Sequence, residues 1–228
     1  SLSKLEEIGE KDKAKEIFLK SAIKETIKKF EKILKKDKTL TRVILNPKQN
    51  HFDINSFIDY ILIQEISKNV DGFRRSAFFH RKEDGKIHMG PLWDFNLAFG
   101  NLSFYGMSRT GSWLYLKKHS EMKHAFWFKA LIRNKIFRQK LISRYFYLRN
   151  EVGIFSTKSL FDSIDQHFAP IKWASQRDHF KWHDTFDFAE RYIINTKERA
   201  DSPQENVDIM KRWLQKRLLW IDRNIKNI

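Results

Sequence analysis

The residue pattern predicts a mainly α fold with one small β-hairpin. Three observations carry this expectation. Apolar residues recur at steps of three and four along most of the chain, the period of a helix face. One pair of β-prone segments, residues 76–80 and 87–95, flanks Asp84-Gly85, a dipeptide that favours tight hairpin turns. Hydrophobic residues make up 41% and aromatics 14%, with 20 Phe and 7 Trp, which supplies an aromatic-rich core and excludes a disordered chain. A length of 228 residues suits one domain.

The first element is an amphipathic helix over residues 10–36. Leu19, Ile23, Ile27, Phe30 and Leu34 follow steps of four, four, three and four, so they share one face, and Lys and Glu fill the other. Such a helix can lie on a membrane surface or a partner; docking on its own domain is the reading preferred here. Residues 37–50 contain Thr39, Thr41, Asn46 and Pro47 and read as a loop or short extended segment. A second helix starts near Asn55-Ser56, with Ser56 and Asp59 as a capping-box variant, and runs to about Asn69. It is apolar on several sides, which predicts burial in the middle of the domain.

The hairpin follows, and then a stretch rich in Gly, Ser and Asn, residues 101–112, which reads as a loop over the site. Beyond Met122 helical segments centre on residues 125–133, 135–149 and 158–169, with a break marked by Gly153 and Ser156-Thr157. Asp162 and Asp165 fall on an ordinary amphipathic pattern. Asp201-Ser202-Pro203 starts the last helix, with Pro in the first turn. Val207, Met210, Trp213, Leu214, Arg217, Leu218 and Ile221 form its core stripe, and it ends near Asn224. His167, His179 and His183 have irregular spacing and no accompanying Glu-bearing His motif, so no metal site is read there.

The net charge of +16 allows three readings: nucleic-acid binding, attraction to anionic membranes or envelope polymers, or a solvated Lys-rich surface. Lys and Glu interleave, and no Arg-aromatic stripe or nucleic-acid motif occurs, so nucleic acid is not an expected partner. The absence of Cys excludes disulfides and thiolate metal sites and leaves the compartment open. No apolar run reaches the length of a transmembrane segment. The first residues lack the apolar stretch of a signal peptide and read as though they begin within a domain, so a processed or truncated chain is expected.

Chemistry is expected in residues 69–101, NVDGFRRSAFFHRKEDGKIHMGPLWDFNLAFGN. Two acids stand in apolar sequence: Asp71 between Val70 and Gly72, and Asp94 between Trp93 and Phe95. A hairpin that returns one acid to the other builds a two-carboxylate site. The structural alternative is also open: Asp71 closes a helix and starts a turn, and Asp94 is a buried acid paired with Arg74 or Arg75.

This stretch resembles the bacterial CotH (spore-coat-protein-H) kinase family. The shared pattern is an Asn-x-Asp turn at Asn69 to Asp71, a hairpin, then Pro91-x-Trp93-Asp94-Phe95-Asn96 and a terminal Gly100-Asn101. The preceding DINSFIDYILIQEISKN, the later RYFYLRN and the Trp- and Leu-bearing last helix are similar to the family too, so the resemblance runs from about Asn50 to the end. It implies an atypical protein kinase of reduced kinase-like fold, of which this chain resembles the helical C-lobe. It implies ATP, Mg2+ or Mn2+, and transfer of the γ-phosphate to the hydroxyl of a protein substrate.

Carried onto this sequence, Asp71 matches the catalytic acid that orients the hydroxyl and accepts its proton. Asp94 matches the metal-binding acid, Asn96 a supporting metal and cofactor ligand, and Asn101 a further cofactor-binding residue. Ser76 stands where kinases carry a metal-binding Asn five residues after the catalytic acid; Asn96 or Asn101 would compensate. No Gly-rich phosphate-covering loop or phosphate-binding Lys is found ahead of the acids. The expectation is therefore a single domain over residues 1–228, the C-terminal part of a CotH-like protein without its N-terminal nucleotide-binding lobe. A catalytically inactive binding or structural module at the cell envelope or coat is the alternative, with nucleic-acid binding a third. The resemblance also implies an exported or envelope setting, although this chain contains no signal peptide.

Overall fold

A computed structural model describes residues 2–46, 51–81, 85–117, 124–190 and 200–228. The fold is mainly helical with one two-stranded antiparallel sheet, as the periodicity predicts. Helix α1 spans Leu2–Leu34 and α2 spans Asp37–Leu45. Helix α3 spans Ile54–Ser67 and leads to strands β1, Phe79–Arg81, and β2, Ile87–Met89. After a long loop come α4, Phe126–Arg133, and α5, Lys135–Arg149. Helix α6 is Thr157–Phe168, α7 is Lys172–Glu190 and α8 is Pro203–Asn224. Among the described residues, no helix is long and apolar enough to cross a membrane.

Helix α1 docks on its own domain through its last turns. Phe30 and Leu34 are buried, whereas Ile23 further up the same stripe stays 52% exposed. Helix α1 packs against α2 and α4. Trp127 of α4 fixes the last turns of α1: its ring meets Phe30 edge-on, centroids 5.0 Å apart, and its Nε1 donates to Glu31 Oε1 at 2.8 Å.

The segment expected to be a loop, residues 37–50, is helical over Asp37–Leu45. Thr39 and Thr41 suggested a loop, but Leu40, Val43 and Ile44 lie on one face and are buried, and burial outweighs weak local propensity. Asn134, the N-cap of α5, anchors this helix by donating through Nδ2 to Asp37 Oδ1 and Thr41 Oγ1, each at 2.7 Å. The start of α3 is also corrected. Asp53, not Ser56, is the N-cap, accepting from the Ser56 amide at 2.6 Å. Asp59 instead receives both guanidinium nitrogens of Arg144, at 2.8 and 3.0 Å, which ties α3 to α5.

The hairpin is shorter than its β-prone flanks. Only residues 79–81 and 87–89 pair, in the register Phe79 with Met89, His80 with His88 and Arg81 with Ile87. Asp84 at the expected tip lies outside the described residues, and Gly85 beside it has φ +77°. Strand β2 is buried and β1 is exposed, so one hairpin edge packs on α3.

Helix α3 lies at the centre of the core, buried from Phe57 through Leu62 and Gln64 through Ser67, save Asp59. It packs against α5, α8 and β2. Phe52, Phe57 and Phe30 cluster at one end, with ring centroids 5.0 to 5.4 Å apart. At the other end α3 delivers Glu65, Ser67 and Lys68 into the interior, and α8 meets them with Arg217. Sites predicted to open later helices are caps in the structure: Ser156 accepts from the Ser159 amide and Ser202 from the Glu205 amide.

Candidate functional site

The chain leaves α3 through Lys68 in the left-handed region, φ 54°, and turns at once into residues 69–76. One main-chain oxygen organises this turn: the Asp71 carbonyl accepts from the amides of Arg74, Arg75 and Ser76, each at 3.0 Å. The Tyr60 hydroxyl of α3 donates to the Gly72 carbonyl at 2.6 Å. Gly72 lets Gln64 pack close to the turn: a Cβ there would stand 2.0 Å from Gln64 Oε1, so that side chain would have to move. These contacts present the Asp71 side chain from a braced backbone. The side chain is 19% exposed, and its Oδ1 accepts from Arg74 Nε at 2.6 Å.

The second acid sits on an irregular loop. Asp94 has φ 64°, a left-handed conformation uncommon for a residue with a Cβ. Gly100 has φ +84°, and Trp213 of α8 packs where its Cβ would be, at 2.4 Å. The Phe99 amide donates to the Ser67 carbonyl at 2.7 Å, so this loop is pinned to the end of α3. Asn101 Nδ2 donates to the Asn96 carbonyl at 2.8 Å, closing the segment between the two asparagines.

Two hydrogen bonds bring the acid loops together. The Ser76 hydroxyl donates to Asp94 Oδ2 at 3.0 Å, and Asn69 Nδ2 donates to the Asp94 carbonyl at 3.1 Å. Asp71, Ser76 and Asp94 therefore belong to one constellation built on residues 69–76. The structural alternative, a buried Asp94 paired with Arg74 or Arg75, does not form: Asp94 is exposed, and Arg74 pairs with Asp71. The apolar surroundings read from the sequence hold for neither acid in full. Asp94 and Asn96 are solvent-exposed, because Leu92 and Trp93 point outward too, 46% and 60% exposed, and do not close over the carboxylate. Trp93 instead meets Phe78 of the hairpin edge-on, centroids 6.4 Å apart.

Several contacts here escaped sequence reasoning. Asn69 and Ser76 connect the acids across 25 and 18 residues of chain, and no local pattern announces such links. His124 is half-buried beside Phe73, and neither ring nitrogen has a described hydrogen-bond partner. Burial holds its pKa below the ordinary histidine value. Arg217 had a visible signal, a charge on the apolar stripe of α8. Its side chain is fully buried, between Trp113 and Trp220, and donates to the Glu65 carboxylate and main-chain oxygen.

The donor chemistry suits a hard cation shared with a ligand. Among the described residues, no group of three or more His, Cys, Asp or Glu side chains could hold a metal. Asp94 offers a carboxylate with one oxygen oriented by Ser76, and exposed Asn96 adds an amide oxygen. One carboxylate, one amide and open solvent space fit an ion such as magnesium, which takes its remaining ligands from phosphate and water. Outside this site, His167 is exposed and bonded through Nδ1 to the Ser163 carbonyl, and the His183 side chain lies outside the described residues.

A family model described as CotH kinase protein matches residues 6–221. No curated protein and no solved structure matches the chain.

Proposed function

Because the chain belongs to the CotH kinase protein family, we propose that it carries the acidic part of an ATP-dependent phosphotransfer site acting on a protein hydroxyl. The observation that supports this most is the Ser76 to Asp94 hydrogen bond at 3.0 Å, which joins the Asp71 turn to the Asp94 loop. Phosphoryl transfer asks little covalent chemistry of a protein. It asks for one acid at the nucleophile and another beside the phosphates.

Asp71 is the proposed catalytic residue. Arg74 holds Oδ1, which leaves Oδ2 to orient the substrate hydroxyl. As the hydroxyl oxygen bonds to the γ-phosphorus, the bond from phosphorus to the β,γ-bridging oxygen breaks, and the hydroxyl proton passes to Asp71. Phosphoryl transfer through a loose transition state depends mostly on positioning, and the Arg74 contact fixes the Asp71 carboxylate for that role. Asp94 and Asn96 are the proposed holders of Mg2+ or Mn2+, which when bound would neutralise charge on the phosphate oxygens. Ser76 acts through Asp94, fixing the carboxylate rotamer, and is a positioning residue. Asn101 Nδ2 braces the main chain at Asn96, and its Oδ1 is the part proposed to face the nucleotide.

A second reading is a catalytically inactive binding module of the same family. The Asp71 to Arg74 ion pair and the Ser in place of the usual metal-binding Asn favour it. Calorimetric titration of the protein that carries this chain with ATP separates the two. The kinase reading expects binding that requires magnesium and is lost in Asp94→Ala. Binding that is absent, or indifferent to both magnesium and Asp94, supports the inactive module.

A further inference from the structure

Beyond the Asp94 loop, the segment 108–112 is held in an unusual way. Each of its main-chain carbonyls accepts from a side chain of the interior. Trp213 Nε1 donates to Ser108 at 2.6 Å. Lys68 Nζ donates to Arg109 and, at 2.8 Å, to Gly111. Arg217 donates to Thr110 at 2.7 Å and to Ser112 at 2.8 Å. The amides of Thr110, Gly111 and Ser112 donate to no described residue. Three consecutive amides are thus left to other acceptors, and successive main-chain N–H groups in a turn can cradle an anion.

A cavity of about 570 Å3 lies between this loop and α8. Arg109 and Lys117 line it from the loop, and Arg212 and Lys216, one helical turn apart, line it from α8. Trp213 forms an apolar wall, and no Asp or Glu is among the described lining residues. On the loop side Lys117 and Arg109 lie close together: from the position of a Cβ on Gly106, Lys117 Nζ is 3.6 Å away and Arg109 Cδ 3.9 Å, and Lys117 Nζ also donates to the Tyr105 carbonyl at 3.4 Å. Behind the loop stands the guanidinium of Arg217. The acid there, Glu65, is engaged by Arg217 and by the amides of Leu114 and Tyr115, at 2.8 and 2.9 Å. Burial, then the charges of Arg109 and Arg217, hold Lys117 below the ordinary lysine range.

We propose that this cavity binds a phosphomonoester dianion, supplied as free phosphate or on a phosphorylated side chain. A carboxylate would answer one positive charge of the cavity, whereas a phosphomonoester carries close to two and offers oxygens for both guanidinium forks and the loop amides. The cavity exceeds one phosphate in size, and the Trp213 wall gives the attached group an apolar surface. The site shares no side chain with Asp71, Asp94, Asn96 or Asn101, so it stands or falls independently of the phosphotransfer reading.

The test is calorimetric titration of the full chain at fixed ionic strength in EDTA. The probes are inorganic phosphate, a short phosphoserine peptide, its unphosphorylated twin and a short single-stranded DNA. Saturable binding of phosphate or phosphopeptide without the twin is expected; the tighter of the two identifies the source. Arg212 and Lys216 are solvent-exposed, so the double variant Arg212→Ala/Lys216→Ala keeps the fold, checked by its melting curve. It is expected to weaken binding about tenfold or more, the scale of a lost charge-assisted hydrogen bond. The proposal is overturned if neither phosphate probe saturates, if the double variant binds as the wild type does, or if the DNA diester binds as tightly per phosphate.

Discussion

Single side chains determine how well the acids are presented. Ser76 touches Asp94 and nothing in the proposed chemistry directly, so Ser76→Ala tests positioning. Loss of a partner that orients a metal ligand costs on the order of tenfold in metal affinity. Manganese titration followed by paramagnetic relaxation is expected to show that weakening, with a melting temperature near that of the wild type. At Gly72 the constraint is steric: Gly72→Ala drives a methyl into Gln64 beneath the Asp71 turn. Overpacking of this kind costs about 1–3 kcal/mol, and a lower urea midpoint is the expected reading. Lys68 carries a pH signature. Burial, reinforced by the Arg217 and Lys117 charges, lowers its pKa from 10.5 to about 7. Between those values the unfolded chain holds a proton that the folded chain has released, so stability rises with pH across that window. Urea melts from pH 7 to 10 are expected to show this rise, and Lys68→Met to flatten it.

Elements show how far the sequence was legible and where it stopped. The helix periods of α4, α5, α6 and α8, and the caps at Ser156 and Ser202, were readable because burial and local capping agreed there. Helix α2 was not, because its Thr residues suggest a loop and its burial depends on α5, about ninety residues away. The β-prone run through Phe95 was read too long. Past Met89 the chain enters Gly90 and Pro91, and Asp94 adopts a left-handed conformation that a ladder does not accommodate. The acids themselves were found from the motif, but their connection was not, since Asn69 and Ser76 act through the folded turn. Helix α8 is the element on which most depends, since Arg217 binds the last turn of α3 and the loop at Thr110 and Ser112 at once. Arg217→Met leaves Glu65 buried without its cation, a change that costs about 3–5 kcal/mol. Chemical denaturation should register that loss, and hydrogen exchange should show faster opening of residues 108–115.

At the scale of the whole molecule, the excess of positive charge has a local meaning. The net charge of +16 says only that the surface attracts anions. The fold collects Arg109, Lys117, Arg212 and Lys216 around one cavity, while the acids Asp71 and Asp94 stand together on the other side of residues 97–101 in the chain. Trp213 touches both regions, packing on Gly100 and lining the cavity. An acidic site and a basic site thus share one structural support, the junction of α3, the long loop and α8. The acidic site is read out by single-turnover transfer of labelled γ-phosphate to a protein acceptor. In the protein that carries this chain, Asp71→Asn is expected to lower the transfer rate about 10²–10⁴-fold, the range for a lost general base, while magnesium-dependent ATP binding persists. Transfer by Asp71→Asn at the wild-type rate would contradict the account.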